Sequence, residues 1–152
     1  MKDLIFICLL LGITFSTTAQ QTNPRYDPAL ADSLGADDYG MKSYVLAILE
    51  TGNTAPDDQT AVREAFSGHM ANIRRLVEAG KLLIAGPLGP NDDRYRGIFI
   101  FDVATVEEAR ELVSSDPAIQ EGYLDVKLYP WYGSAALPMY LDAADKIWKE
   151  NP

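Results

Sequence analysis

Apolar residues fall into short unbroken runs and into longer stretches with helical spacing. Residues 44–49 form an unbroken apolar run, which is typical of a strand buried on both faces. Between residues 62 and 77 apolar side chains recur every three or four positions, and this spacing predicts an amphipathic helix that ends at Gly80. Residues 82–85 and 97–101 are further apolar runs separated by a loop rich in Gly, Pro and Asp, and they predict the second and third strands.

The pattern continues with a second helix and a fourth strand. Thr105 and Glu108 have the spacing of a capping box, which predicts the start of the second helix. Asp116 followed by Pro117 predicts a short helical turn with Asp as its N-cap. Residues 124–128 alternate between apolar and polar side chains, and this period of two predicts a half-buried fourth strand.

The predicted order is strand, helix, strand, strand, helix, strand, which is the split β-α-β arrangement of an α+β, ferredoxin-like domain. Two helices cover only one face of a four-stranded sheet, yet the first and third strands are apolar on both faces. A second copy of the sheet is the simplest cover for the other face, because an exposed apolar sheet promotes aggregation. The alternative cover is a final amphipathic helix predicted over residues 138–149, which is narrow for a whole sheet. We therefore expect a homodimer.

The N-terminus has the pattern of a secretory signal peptide. A charged start precedes an apolar run over residues 4–15, and Thr17 and Ala19 occupy the −3 and −1 positions of a cleavage site. The run is shorter than the roughly 20 residues that span a bilayer, which disfavours an uncleaved anchor. We expect a secreted or periplasmic protein with no membrane anchor after cleavage. The expected organisation is a signal peptide (1–19), a polar leader (20–40), the ferredoxin-like domain (41–132) and a C-terminal helical extension (133–152).

Composition excludes several classes of partner and site. The chain has 13 Lys and Arg against 22 Asp and Glu, and its net charge of −9 disfavours binding to nucleic acid or to an anionic membrane. It contains one His and one Cys, so a multi-His or Cys-rich zinc site is excluded. The paired Asp residues lack the alternating ligands of a calcium loop. We expect neither a metal nor a cofactor.

Five segments in the central part of the chain together form a recognisable pattern: Gly68-His69-Met70, residues 80–87, Glu107-Glu108-Ala109, Asp116-Pro117 and Tyr129-Pro130-Trp131. In their order and spacing, about residues 42–131 resemble the YCII-related family. That resemblance implies a dimeric α+β barrel in which two ferredoxin-like sheets pack face to face. It also implies an active-site pair formed by His69 and Asp116, and proton transfer on small, often ring-shaped molecules by lyase or isomerase chemistry.

His69 and Asp116 each have two interpretations. His69 follows Phe66 by three residues and precedes Ile73 by four, so it lies on the core-facing side of its helix. It is either a buried histidine bonded to a backbone carbonyl or a general acid and base, since histidine titrates near neutrality. Asp116 is either an ordinary helix cap or the carboxylate that orients the imidazole, and one carboxylate can serve both purposes.

Three further residues are weaker candidates for contact with a substrate. Tyr95 and Arg96 precede the third strand and would form a pair of hydrogen-bond donors at a cleft, although a role in the loop is the alternative. Trp131 would form an aromatic wall for a ring-shaped substrate, although aromatic residues are also common at dimer interfaces.

These observations favour an exported homodimer that performs His/Asp acid–base chemistry, of the lyase or isomerase type, on a small organic molecule. One alternative is a non-catalytic module that binds a small molecule in the same cleft. Another is a structural dimer in which His69 is merely packed.

Overall fold

The computed structural model describes residues 23–149, and the predicted signal peptide lies outside this part of the chain. These residues contain ten helices and strands. None of the helices within residues 23–149 is long and apolar enough to cross a membrane. In chain order the elements are α1 (Pro28–Leu34), β1 (Met41–Thr51), α2 (Gln59–Glu78), β2 (Leu82–Pro87), β3 (Tyr95–Phe101), α3 (Val106–Ser114), α4 (Pro117–Gln120), β4 (Leu124–Ser134), a 3₁₀ turn (Leu137–Tyr140) and α5 (Leu141–Ala144).

The four strands form one antiparallel sheet in the order β2-β3-β1-β4. β1 lies between β3 and β4, so the first and last strands of the domain are neighbours and both helical connections lie on the same face of the sheet. This topology is the ferredoxin-like α+β fold that the order of elements predicted. The capping box at Thr105 and Glu108 is also present at the start of α3, as the sequence predicted.

β1 and β4 are longer than their apolar runs. Each has 11 residues, and they pair without interruption from Met41 opposite Ser134 to Thr51 opposite Leu124. The domain boundary expected after residue 132 therefore falls inside β4. Pro130 is compatible with the strand because β4 is at the edge of the sheet, where the missing amide donor leaves no ladder bond unmade.

One face of the sheet packs against α2, α3 and α4 and carries the main core. Alternate residues of β1, β3 and β4 point into it, as the period of a strand requires. The buried members of this core are Val45, Ala47, Leu49, Leu76, Leu82, Phe99, Phe101, Val103, Ala109, Val113, Ala118 and Leu124.

The other face carries a second, smaller apolar cluster built around Tyr44, Leu83 and Ile100. Leu137 and Leu141 from the C-terminal segment pack on this cluster and cover one end of the face. The expectation of a continuous helix over 138–149 is wrong, because the structure has a 3₁₀ turn followed by the four-residue α5. The predicted apolar stripe is not buried at its far end, and short helices without packing are unstable in water.

The polar leader contains a helix that the sequence pattern did not predict. α1 begins at Pro28 with Asp27 as its N-cap and ends at Gly35, which adopts the left-handed conformation with φ of 67°. None of its residues is buried. The helix has only seven residues, and Ala31 and Leu34 on its apolar side are only half-buried, so hydrophobic periodicity was too short to identify it.

Candidate functional site

The site forms where α2 crosses the start of α4. A Cβ atom on Gly68 would lie 2.6 Å from Cγ of Pro117, so only glycine lets the two helices approach this closely. The residue after Gly68 and the residue before Pro117 therefore become neighbours. Gly68 packs against Pro117, and His69 contacts Asp116, which is 47 residues away in the sequence.

His69 and Asp116 form a buried hydrogen-bonded pair. Nδ1 of His69 lies 2.7 Å from Oδ2 of Asp116, and the two residues are 7% and 1% exposed. A carboxylate accepts hydrogen bonds, so the Nδ1–H of the imidazole donates to Asp116. The uncharged ring then carries its lone pair on Nε2, which is the form required of a general base.

Asp116 uses its two oxygens for two purposes. Oδ1 accepts from the backbone amide of Ala118 at 3.0 Å and caps α4, while Oδ2 accepts from His69. Burial raises the pKa of the Asp116 carboxyl, but the hydrogen bonds from His69, Asn72 and Ala118 together with the charge of His69 outweigh burial. The net effect lowers this pKa below its ordinary value, so the carboxylate stays charged at neutral pH.

A chain of polar side chains continues from Asp116 to the surface. Asn72, which is 8% exposed, donates from Nδ2 to Oδ2 of Asp116 at 3.3 Å. Its Oδ1 accepts from the Arg75 guanidinium at 2.7 Å, and Arg75 also donates to Ser115 Oγ at 3.1 Å. Because the Asn72 oxygen accepts from Arg75, the amide nitrogen of Asn72 faces Asp116. The Asp116 carboxylate therefore accepts hydrogen bonds from both His69 and Asn72.

The imidazole forms part of the wall of a cavity of about 450 Å³ between α2 and the sheet. Phe99 stacks on the ring with centroids 5.8 Å apart, and Phe66 meets it edge-on at 6.0 Å. Within residues 23–149, every fully buried side-chain nitrogen or oxygen has a hydrogen-bond partner. Nε2 of His69 has no partner among these residues, so it is not fully buried. Because His69 lines the cavity, this accessible surface of Nε2 faces the cavity. The cavity is lined by Leu49, Phe66, His69, Met70, Ile73, Ala85, Gly86, Pro87, Arg96, Gly97, Phe99 and Leu124.

The three weaker candidates are distributed over different surfaces. Arg96 lines the cavity that His69 lines. Tyr95 is half-buried, and the Lys127 ammonium lies 5.9 Å from its ring centroid. Trp131 lies on the opposite face of the sheet, where its ring centroid is 5.6 Å from that of Tyr44. The aromatic walls of the cavity are therefore Phe66 and Phe99.

Metal ligands are not gathered anywhere in the part of the chain that the structure describes: no group of three or more His, Cys, Asp or Glu side chains lies close enough to hold an ion. The chemistry that the described site offers is a single imidazole, polarised by a buried carboxylate, at the wall of a largely apolar cavity. Such a group moves protons.

Comparison with family models finds a match over the region that contains the site. The model of the YCII-related domain matches residues 44–132. Among solved structures, 5-chloro-2-hydroxyhydroquinone dehydrochlorinase from Burkholderia phenoliruptrix AC1100, in complex with 2,5-dihydroxybenzoquinone, matches with a TM-score of 0.41 and 20% identity, over 57% of this chain and 92% of that chain. No curated protein matches the chain.

Proposed function

The chain belongs to the YCII-related domain family, and from that premise we propose that it is an acid–base enzyme of the lyase or isomerase type acting on a small organic molecule. The observation that supports this most is the 2.7 Å contact between His69 Nδ1 and the buried Asp116 carboxylate at the wall of a cavity. A histidine that was only packed would need neither a charged partner nor an accessible nitrogen.

In this proposal each residue of the pair has a separate task. Nε2 of His69 removes a proton from the substrate and returns it to substrate or product. The Asp116 carboxylate holds the ring in the Nδ1–H tautomer and stabilises the imidazolium that forms, and its lowered pKa keeps it charged while it does so. The apolar wall lowers the local dielectric, which strengthens the interaction between the imidazolium and the carboxylate.

Proton exchange tests this function without knowledge of the product. In D₂O the protein should accelerate the loss of the α-proton signals of small cyclic and aryl ketones, measured by ¹H NMR. His69→Asn should reduce this rate by about 10²–10⁴-fold, since that is the usual contribution of a general base. The unfolding free energy should change by less than about 2 kcal/mol, because the Asn amide can still donate to Asp116.

Two results would contradict the proposal. One is a His69→Asn variant that exchanges as fast as the parent protein. The other is a parent protein that accelerates none of the ketones beyond the level of the heat-denatured chain, which would favour a non-catalytic binding module.

We also propose that the protein is a homodimer that packs through the second sheet face. Leu46, Ile48 and Ile98 are only half-buried, and the C-terminal segment covers just the end of the face near Tyr44. A second copy of the same face would remove these side chains from water, as an isologous interface does.

Light scattering at micromolar concentration should therefore return the mass of a dimer. Ile48→Asp should shift the mass to that of a monomer, whereas Leu30→Asp, an apolar-to-charged change on α1, should leave the dimer intact. A soluble parent protein with the mass of a monomer would refute the interface.

Export is proposed from the N-terminal pattern alone. Cleavage after Ala19 would leave Gln20 as the first residue of the mature protein. Mass spectrometry of protein from its native cell should find this N-terminus, and an intact chain recovered from the cytoplasm would overturn the proposal.

A further inference from the structure

Apart from His69, the cavity has one polar residue in its lining, and that residue is Arg96. Ten of its twelve lining residues are Gly, Ala, Pro or larger apolar residues, and the two others are His69 and Arg96. At about 450 Å³ the cavity lies toward the lower end of the range of about 300–1,000 Å³ that is usual for ligand sites. It therefore suits a small molecule with an extensive apolar surface.

Arg96 reaches the cavity because of an irregularity in the sheet. Leu49 pairs with Gly97 but Glu50 pairs with Tyr95, so Arg96 is the extra residue of a bulge between β3 and β1. A bulge redirects the side chains around it and is frequent beside active sites. The backbone oxygen of Arg96 accepts from the amide of Leu88 at 2.9 Å, which fixes this point of the chain at the mouth of the cavity.

The guanidinium of Arg96 is available to a ligand. None of the ion pairs or side-chain hydrogen bonds found within residues 23–149 uses it. Arg94, two residues earlier, differs in this respect, since its guanidinium donates to the backbone oxygens of Thr51 and Gly52. Arg94 stabilises a loop, whereas Arg96 is exposed at the rim of a cavity.

We infer that Arg96 is an anion-binding residue and that the ligand of the cavity is a small, largely apolar organic acid bound as its anion. This inference rests on the proposed function, because it concerns the same cavity. A guanidinium is weakly hydrated and presents a planar pair of donors to a carboxylate or a similar oxyanion. In a chain with a net charge of −9, a local cation is needed to attract an anion to this site.

Benzoate and benzamide are suitable probes because they share size and shape and differ in charge. The chain contains one histidine, so its ring signals report binding beside His69 without ambiguity. Titration followed by ¹H–¹³C NMR should show saturable shifts of these signals with benzoate, and benzamide should bind at least tenfold more weakly. Arg96→Gln should weaken benzoate binding by about 10- to 100-fold, as the loss of a charge-assisted hydrogen bond does, and leave benzamide binding unchanged.

Arg74→Gln is the matched control. Arg74 is exposed on α2 and its replacement removes the same charge without changing the cavity, so benzoate affinity should stay within twofold of the parent value. Equal binding of benzoate and benzamide by the parent protein would overturn the inference. So would an Arg96→Gln variant that retains its preference for benzoate, or a failure of benzoate to shift the His69 signals at millimolar concentration.

The proposed function is tested separately. Benzoate binding does not require proton transfer. A protein that binds benzoate through Arg96 but exchanges no ketone protons would therefore support this inference and contradict the catalytic role. The converse result is proton exchange that depends on His69 without a preference for benzoate over benzamide. It would support the catalytic role of the His69–Asp116 pair and contradict a role of Arg96 in ligand binding.

Discussion

The two faces of the sheet are both apolar, but they bury different kinds of group. Under the helices, His69, Asn72 and Asp116 are buried and joined to one another by hydrogen bonds. On the other face the cluster around Tyr44 and Leu83 buries mainly hydrocarbon, and the Tyr44 hydroxyl donates to the backbone oxygen of Ser134 at 2.8 Å. The second face is stabilised by burial of apolar area. The helix-covered face also depends on a hydrogen-bonded network that contains the Asp116 carboxylate.

This difference indicates where the fold carries chemistry. A buried carboxylate with its hydrogen-bonded partner is seldom more stable than apolar residues of the same volume, because the charge loses its hydration. The helix-covered face therefore gains no clear stability from His69 and Asp116 over a fully apolar packing. Removing one partner alone is destabilising, since the remaining polar groups would be buried without their hydrogen bonds.

The largest predicted effect follows from this asymmetry. Asp116→Ala should lower the unfolding free energy by about 3–5 kcal/mol, because it leaves His69 and Asn72 without their acceptor and removes the cap of α4. Asp58→Ala removes the exposed N-cap of α2 and should lower it by only about 0.5–2 kcal/mol. Urea denaturation of the two variants measures both values, and equal losses would mean that Asp116 is only a cap.

A second, smaller effect appears in acid. The pKa of Asp116 is lowered in the folded protein, so its contribution is complete above the unfolded pKa of about 3.9 and is lost as the pH falls through the folded pKa. The stability difference between the parent and Asp116→Asn should therefore shrink on acidification below about pH 4. In Asn72→Leu the loss should be smaller and should be complete at a higher pH, because one hydrogen bond that lowers the folded pKa is absent. A difference that is constant from pH 7 to pH 2 would contradict a charged carboxylate at Asp116.

The smallest effect concerns the other face. Leu141→Ala removes a half-buried contact with the second cluster and should lower the unfolding free energy by about 1–2 kcal/mol with no dependence on pH. The ring signals of His69 should not move, because Leu141 packs on the opposite side of the sheet. A Leu141→Ala variant with shifted His69 signals would show that the two faces are coupled.

Much of the fold could be predicted because its signals are local. Gly80 ends the first long helix region, the capping box opens α3, and the apolar runs identify the strands. The full lengths of β1 and β4 could not be predicted, since they result from pairing between strands rather than from the pattern within either one. α1 was missed because it buries no residue and is only seven residues long.

The candidate site was predictable only in part. The resemblance implied His69 and Asp116, and the structure places them in contact because Gly68 has no Cβ atom to keep the two helices apart. Asn72 was not recognised, because polar residues on a helix usually face water. Its spacing of three residues from His69 puts both on one helical face, and this was the available signal.

The tautomer of His69 tests the central claim most directly. With one histidine in the chain, the two ring nitrogens can be assigned by ¹⁵N NMR in the folded protein without a substrate. If Asp116 accepts from Nδ1 and Nε2 faces the cavity, the uncharged ring carries its proton on Nδ1, and Asp116→Asn weakens this preference. A proton on Nε2, or the same mixture of tautomers in both proteins, would contradict the account.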